Sequence, residues 1–92
     1  MVMASARHIL VDTEEKANEL KTQIEDGADF AALAREHSEC PSGQRGGELG
    51  EFGPGTMVKE FDEVVFSADV NTVQGPVRTQ FGYHLLEVTR RE

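Results

Sequence analysis

Three kinds of side chain in this sequence are able to do chemistry: the histidines His8 and His84, the single cysteine Cys40, and large apolar residues near them. Each of these histidines interrupts an apolar, strand-like run, one near each end of the chain. A strand histidine between apolar neighbours is partly buried and must find hydrogen-bond partners. Singly, such a residue is more often a satisfied core histidine than a catalytic one. Two of them on different strands could satisfy each other. Cys40 stands just before Pro41 in a glycine-rich stretch. A lone cysteine is commonly a small buried hydrophobe, but a cysteine with a histidine also raises nucleophilic catalysis. Metal binding is a weaker reading, because Cys40, His8, His37 and His84 lack the close-spaced pairs of zinc sites. The glycines from Gly46 to Gly55 match neither a P-loop nor a dinucleotide fingerprint. Met57 and Phe61 stand at i and i+4, so on a helix they share a face. With Leu49, and with Phe52 or Phe81, they could line an apolar pocket, although core packing is the usual meaning of such a pattern.

The elements that must position these residues are short. Ala6–Val11 reads as a strand. Asp12 or Thr13 then offers an N-cap, with Glu15 at capping-box distance from Asp12. Ala17, Leu20 and Ile24 recur at helical spacing, and Gly27 closes that helix. Asp29 caps a second helix with Phe30, Leu33 and Ala34 on one face. Residues 39–55 are rich in Gly, Pro and Ser and hold one short strand, Glu48–Phe52. Thr56 or Met57 begins a third helix carrying Phe61, Val64 and Val65. A turn over Asn71–Gln74 and a Gly75-Pro76 breaker precede the strands Val77–Thr79 and Tyr83–Thr89, which form a hairpin around Gln80, Phe81 and Gly82. The order of elements predicts an α+β domain with a small, mainly antiparallel sheet covered by helices.

The 92 residues suit one domain, residues 1–92, with ordinary hydrophobic (38%) and charged (28%) content. One cysteine permits no intrachain disulfide, which fits a reducing compartment. No apolar run is long enough to span a bilayer, and Met1–Ala6 lacks the regions of a signal peptide. A cytoplasmic, complete chain is therefore expected. The formal charge of -8 opposes nucleic-acid binding and mildly favours basic or neutral peptides, although an acidic surface also serves solubility.

The runs His8-Ile9-Leu10-Val11, Cys40-Pro41-Ser42-Gly43 leading into Gly46-Gly47-Glu48-Leu49-Gly50-Glu51-Phe52, Gly55-Thr56-Met57-Val58 with Phe61, Gly75-Pro76-Val77, and Thr79-Gln80-Phe81-Gly82-Tyr83-His84 together resemble the parvulin family of peptidyl-prolyl cis/trans isomerases. The resemblance covers nearly the whole chain in order and looks closest to the minimal single-domain bacterial and archaeal members.

The resemblance implies an FKBP-like superfold: four mainly antiparallel strands, about four helices, and a substrate groove on the sheet's exposed side. It implies a cofactor-free rotamase that assists protein folding, acting as a monomer on proline-containing polypeptides, with no nucleic acid, membrane or metal involved. Position by position, His8 and His84 match the family's paired histidines, and Thr79 the threonine bonded toward them. Cys40 matches the Cys or Asp beside the susceptible bond. Leu49, Met57 and Phe61 match the proline pocket, with Phe81 and Ser42 bordering the groove. Phosphate-directed parvulins carry an extended basic loop after the first strand. Here Val11 runs into Asp12-Thr13-Glu14-Glu15, short and acidic, so no phosphate preference is expected. Two rival readings are a peptide-binding, holdase-like module and a thiol hydrolase or transferase using Cys40 with a histidine as base.

Overall fold

The structure, a computed structural model, describes residues 3–92; Met1 and Val2 of the N-terminal segment read above lie outside the described residues. The elements are β1 (Ala4–Val11), α1 (Glu14–Glu25), α2 (Phe30–His37), a short 3₁₀ helix (Pro41–Arg45), β2 (Glu48–Phe52), α3 (Lys59–Val65), β3 (Val73–Thr79) and β4 (Gly82–Arg91). All strand pairs are antiparallel, in the order β2-β1-β4-β3. The first and last strands of the chain are thus the two central ones, and they bring His8 and His84 side by side. The α+β expectation holds, with three α-helices and the 3₁₀ helix around the sheet.

Alternation along the central strands builds two apolar layers. On one face Ile9, Val11 and Leu85 meet Ala17 and Leu20 of α1 and Phe30, Leu33 and Ala34 of α2. On the other face Ala4, Ala6, Leu86 and Val88 meet Phe52 and the α3 residues Phe61 and Val65. Ile9, Leu20, Leu85, Leu86, Val65 and Val88 are fully buried, each contributing about 1.5–3 kcal/mol of apolar transfer. The short α3 covers only part of its face, and the uncovered part holds the candidate site.

Local chemistry explains the boundaries; β1 starts two residues earlier than expected, at Ala4, and β4 runs from Gly82 to Arg91 and not from Tyr83 to Thr89. Thr13, not Asp12, is the N-cap of α1, its hydroxyl accepting from the Lys16 N–H at 3.1 Å. Lys16 therefore takes the third helical position, and no Asp12–Glu15 capping box forms. Asp29 caps α2 as expected, accepting from the Ala32 N–H. Helix α3 starts at Lys59 because Val58 stays extended at φ -59° and ψ 152°. Met57 is consequently off the helix, and helical i, i+4 spacing is not what brings it to Phe61. Strand β3 begins at Val73, so Val73 and Gln74 belong to a strand and not a turn. The cis Gly75-Pro76 bond lies inside it, where the ladder shifts register between Gln74 and Val77. An edge strand accommodates a proline because its missing N–H deprives no neighbour. The 3₁₀ helix, unanticipated, starts on Pro41, whose fixed φ suits a first helical position.

Gly47 sets the approach of this segment to β1. The His8 N–H donates to the Gly47 carbonyl at 3.0 Å, and a Cβ on Gly47 would stand 2.2 Å from the His8 carbonyl oxygen. Its φ of +86° compounds the requirement for glycine.

Candidate active site

The site lies along β1 on the α3 side of the sheet. Period-two alternation turns His8 and Leu10 to this face, and the ladder sets Leu10 opposite His84 and His8 opposite Leu86. The segment after α2 is stitched to the same strand. Leu10 donates its N–H to Ser38 Oγ at 3.1 Å and accepts at its carbonyl from the Glu39 N–H at 2.8 Å. These bonds place Cys40 at the sheet surface, and the 3₁₀ helix then carries Ser42 underneath it.

A continuous line of hydrogen bonds results. Cys40 Sγ accepts from Ser42 Oγ at 3.3 Å, and Ser42 Oγ is 3.1 Å from His8 Nε2. His8 Nδ1 is 3.0 Å from His84 Nδ1, and His84 Nε2 is 2.8 Å from Thr79 Oγ1. The Phe81 N–H donates to Thr79 Oγ1 at 3.2 Å. His8, Ser42, Thr79 and His84 are all buried. Burial is the main cause that lowers the His8 pKa from 6.5 to about 4, with the neighbouring His84 adding to it. Burial also lowers the pKa of His84. Both rings are therefore neutral at neutral pH, and each carries one N–H.

The Phe81 N–H, a donor at one end of the line, and the Cys40 sulfur, an acceptor at the other, are joined by one consistent orientation of the protons between. Phe81 can only donate, so the Thr79 hydroxyl accepts from it, and the hydroxyl's own proton is used if it is given to His84 Nε2. His84 then carries its proton on Nδ1 and donates to His8 Nδ1, leaving the His8 proton on Nε2, aimed at Ser42. The Ser42 hydroxyl, supplied by His8, donates to the Cys40 sulfur. One proton fills each contact, and among the described residues no buried side-chain nitrogen or oxygen lacks a partner.

Above this line is an apolar cleft of about 400 Å³. His8, His84 and Cys40 form part of its lining, with Leu49, Met57, Val58 and Phe61 on the α3 side and Leu10, Glu39, Pro41 and Phe81 towards the other end. The Phe61 ring stands nearly perpendicular to both imidazoles, its centroid 5.7 Å from each, so the apolar wall rests directly on the histidine pair. Phe81 is 63% exposed on the β3–β4 turn, the one large apolar side chain left open to solvent among the described residues. Phe52, the alternative to Phe81 at the pocket, is instead buried in the core against Phe66.

Of the residues singled out in the sequence, the structure places His8, Cys40, Leu49, Met57, Phe61, Phe81 and His84 on the cleft. Thr79 lies behind it, against His84. The link through Ser42 is tighter than a position bordering a groove. Leu10, Glu39, Pro41 and Val58 were not singled out; Leu10 was reachable by its period-two spacing from His8, and Glu39 by its position next to Cys40. No histidine reaches the Cys40 sulfur directly, since Ser42 stands between. That geometry lacks the nucleophile–base contact a thiol hydrolase requires.

The chain, whose central antiparallel pair carries two bonded histidines under an apolar cleft, belongs to the PPIC-type peptidyl-prolyl isomerase domain family, whose pattern matches residues 1–92. Among its relatives is the foldase protein PrsA of Geobacillus sp. (strain WCH70), 49% identical over 88 residues, which are 95% of this chain and 32% of that protein. The chain thus spans about a third of the length of the curated relatives it matches. The crystal structure of the peptidylprolyl isomerase PrsA from Bacillus cereus superposes with a TM-score of 0.93 at 45% identity, covering 98% of this chain and 35% of that one. The solution structure of the parvulin of Nitrosopumilus maritimus, a protein of similar size, superposes with a TM-score of 0.85 at 32% identity over 96% of both chains.

Proposed function

We propose that this chain accelerates cis/trans rotation about X-Pro bonds in flexible polypeptides, without a cofactor and without covalent attack by Cys40. The observation that carries the reading is the apolar cleft floored by a hydrogen-bond line whose protons are already committed.

The barrier to rotation is amide resonance, about 18–20 kcal/mol. The planar amide is the charge-separated state, with a negative carbonyl oxygen and a planar nitrogen; the twisted transition state has lost that separation. A strong donor to the carbonyl would therefore stabilise the ground state. Here the Ser42 hydroxyl is spent on Cys40 and the Phe81 N–H on Thr79, so neither is free for the substrate. Leu49, Met57 and Phe61 hold the proline ring while the preceding carbonyl turns beside Cys40. Desolvation in that cleft disfavours the polar planar form relative to the twisted one. An acceleration of about 10⁶ needs roughly 8 kcal/mol of this differential stabilisation. His8, His84 and Thr79 keep the floor neutral and rigid. Cys40 contributes a weak, polarizable acceptor next to the turning bond.

One copy of the chain supplies every group named, which supports a monomer as the active unit. The connection between β1 and α1 is only Asp12 and Thr13, which supports independence from substrate phosphorylation. Uncatalysed X-Pro exchange takes tens to hundreds of seconds. Exchange NMR or a protease-coupled assay on Ala-Pro peptides tests the proposal; binding without any acceleration would leave only a peptide-holding module.

A further inference from the structure

The cleft is not electrically neutral along its length. It follows β1 from the level of Leu49, whose strand neighbours Glu48 and Gly50 pair with Arg7 and Ala6, past His8 to Leu10. At about 3.3 Å per residue this is roughly 10 Å, enough for a proline and the residue before it. The Leu49 end is apolar. The Leu10 end carries Glu39, the only Asp, Glu, Lys or Arg among the described residues lining the cleft.

Glu39 is held in place by its backbone while its carboxylate is left open. Its N–H donates to the Leu10 carbonyl at 2.8 Å, and Ser38 before it takes the N–H groups of Leu10 and Cys40. The Glu39 side chain is exposed, and among the described residues no hydrogen bond or ion pair engages its carboxylate. Resting on the isomerase reading, a ring seated at Leu49, Met57 and Phe61 places the turning bond by Cys40. The side chain before proline then falls beside the next residue back, Glu39. A free carboxylate fixed at the rim of an apolar cleft, on a chain of formal charge -8, attracts a cation and repels an acid. We propose that Glu39 is a specificity-determining residue that selects lysine or arginine, and rejects aspartate or glutamate, immediately before the proline.

The test uses the 92-residue chain and matched peptides of the form Ala-X-Pro-Phe, with X as Lys, Leu or Glu. Both kcat/KM and the Kd of each peptide are measured, the latter by NMR titration. A solvent-screened charge contact changes an equilibrium by up to about fivefold, so the Lys-to-Glu ratio is expected at about 3- to 10-fold. It should shrink in about 1 M salt. E39Q should bring the ratio towards one and E39K should invert it. The ¹H–¹⁵N spectrum of each variant establishes that the fold is kept, which is expected because the contact to Leu10 is made by backbone. A ratio of one in the wild type, or a ratio that E39Q and E39K leave unchanged, overturns the assignment of Glu39. If no peptide is turned over, the isomerase reading fails, and the ratio of Kd values still decides for or against Glu39.

Discussion

His8 Nδ1 and His84 Nδ1 stand 3.0 Å apart, a contact that holds one proton and no more. The orientation that runs from the Phe81 N–H donor to the Cys40 sulfur acceptor assigns that proton to His84, with His8 as the Nε2–H tautomer. Long-range ¹H–¹⁵N correlation spectra should therefore show opposite tautomers for the two rings at neutral pH, His84 protonated on Nδ1 and His8 on Nε2. Identical tautomers, or rapid averaging of both, would contradict the orientation derived from the Phe81 N–H.

The same burial predicts the response to acid. The His8 pKa is lowered from 6.5 to about 4, so between these values the unfolded chain binds a proton that the folded chain refuses. The stability due to neutral His8 is complete above about pH 6.5 and falls as the pH drops towards about 4. It then levels off. The lowered pKa of His84 acts in the same direction. For His8 the loss is roughly 3 kcal/mol. Urea midpoints measured from pH 7.5 to 4 should decline across this window, while activity per folded molecule stays flat through pH 6.5. An activity inflection near 6.5 would mean that a solvent-like histidine controls turnover.

Thr79 and Ser42 stand next to the two ends of the line, so their loss should not be symmetrical in activity. T79A leaves His84 Nε2 without its donor and the Phe81 N–H without its acceptor. S42A leaves the His8 proton unaccepted and also detaches Cys40. Each orphaned buried group costs about 1–3 kcal/mol, visible in the denaturation midpoint. Beyond that, T79A releases the Phe81 N–H at the edge of the cleft, where a free donor favours the planar amide. T79A is therefore expected to lower kcat about tenfold with little change in KM. T79S, which keeps the hydroxyl, should restore most of it. Equal kcat in T79A and T79S would show that the committed proton is not what matters.

Much of the site was legible because its residues obey local rules. His8 and His84 stand out as polar interruptions of strand-like apolar runs, and the sheet topology then makes those strands neighbours. Helices α1 and α2 follow from the caps Thr13 and Asp29 and the apolar residues at helical spacing. The less legible parts depend on contacts distant in sequence. The five-residue 3₁₀ helix carries no periodic signal, and the Ser42–His8 contact it makes joins residues 34 apart in the chain. Met57 reaches the cleft from a bend, where spacing rules do not apply. Strand β3 continues through Gly75-Pro76 because it lies at the edge of the sheet, a fact that sequence periodicity does not encode.

Gly47 is a sharper test of how the site is assembled. G47A introduces a methyl 2.2 Å from the His8 carbonyl oxygen at a φ of +86°, so β1 and the Ser42 segment must separate. The expected loss is about 2–4 kcal/mol, or a fall in Tm of roughly 10–25 °C for a domain of this size. The Ser42–His8 contact should loosen with it. G50A is the control, since φ is also positive at Gly50 but no atom lies within 4 Å of its added methyl. It should cost only the backbone strain. Similar losses in both would mean that the close approach to His8 has no weight of its own.

Phosphorylation of the substrate should slow this site. A phosphoserine before proline brings about -1.5 to -2 of charge at neutral pH. It would need basic groups at the Leu10 end of the cleft, where the chain offers Glu39, and Asp12 in the two-residue connection between β1 and α1. The phosphorylated peptide is therefore expected to turn over at least several-fold more slowly than its unmodified twin, chiefly through KM. The gap should narrow in high salt, because the repulsion acts between solvent-exposed charges. Equal or faster turnover of the phosphopeptide would require a cationic partner that the geometry does not provide. E39K should narrow the difference without abolishing it, since Asp12 remains.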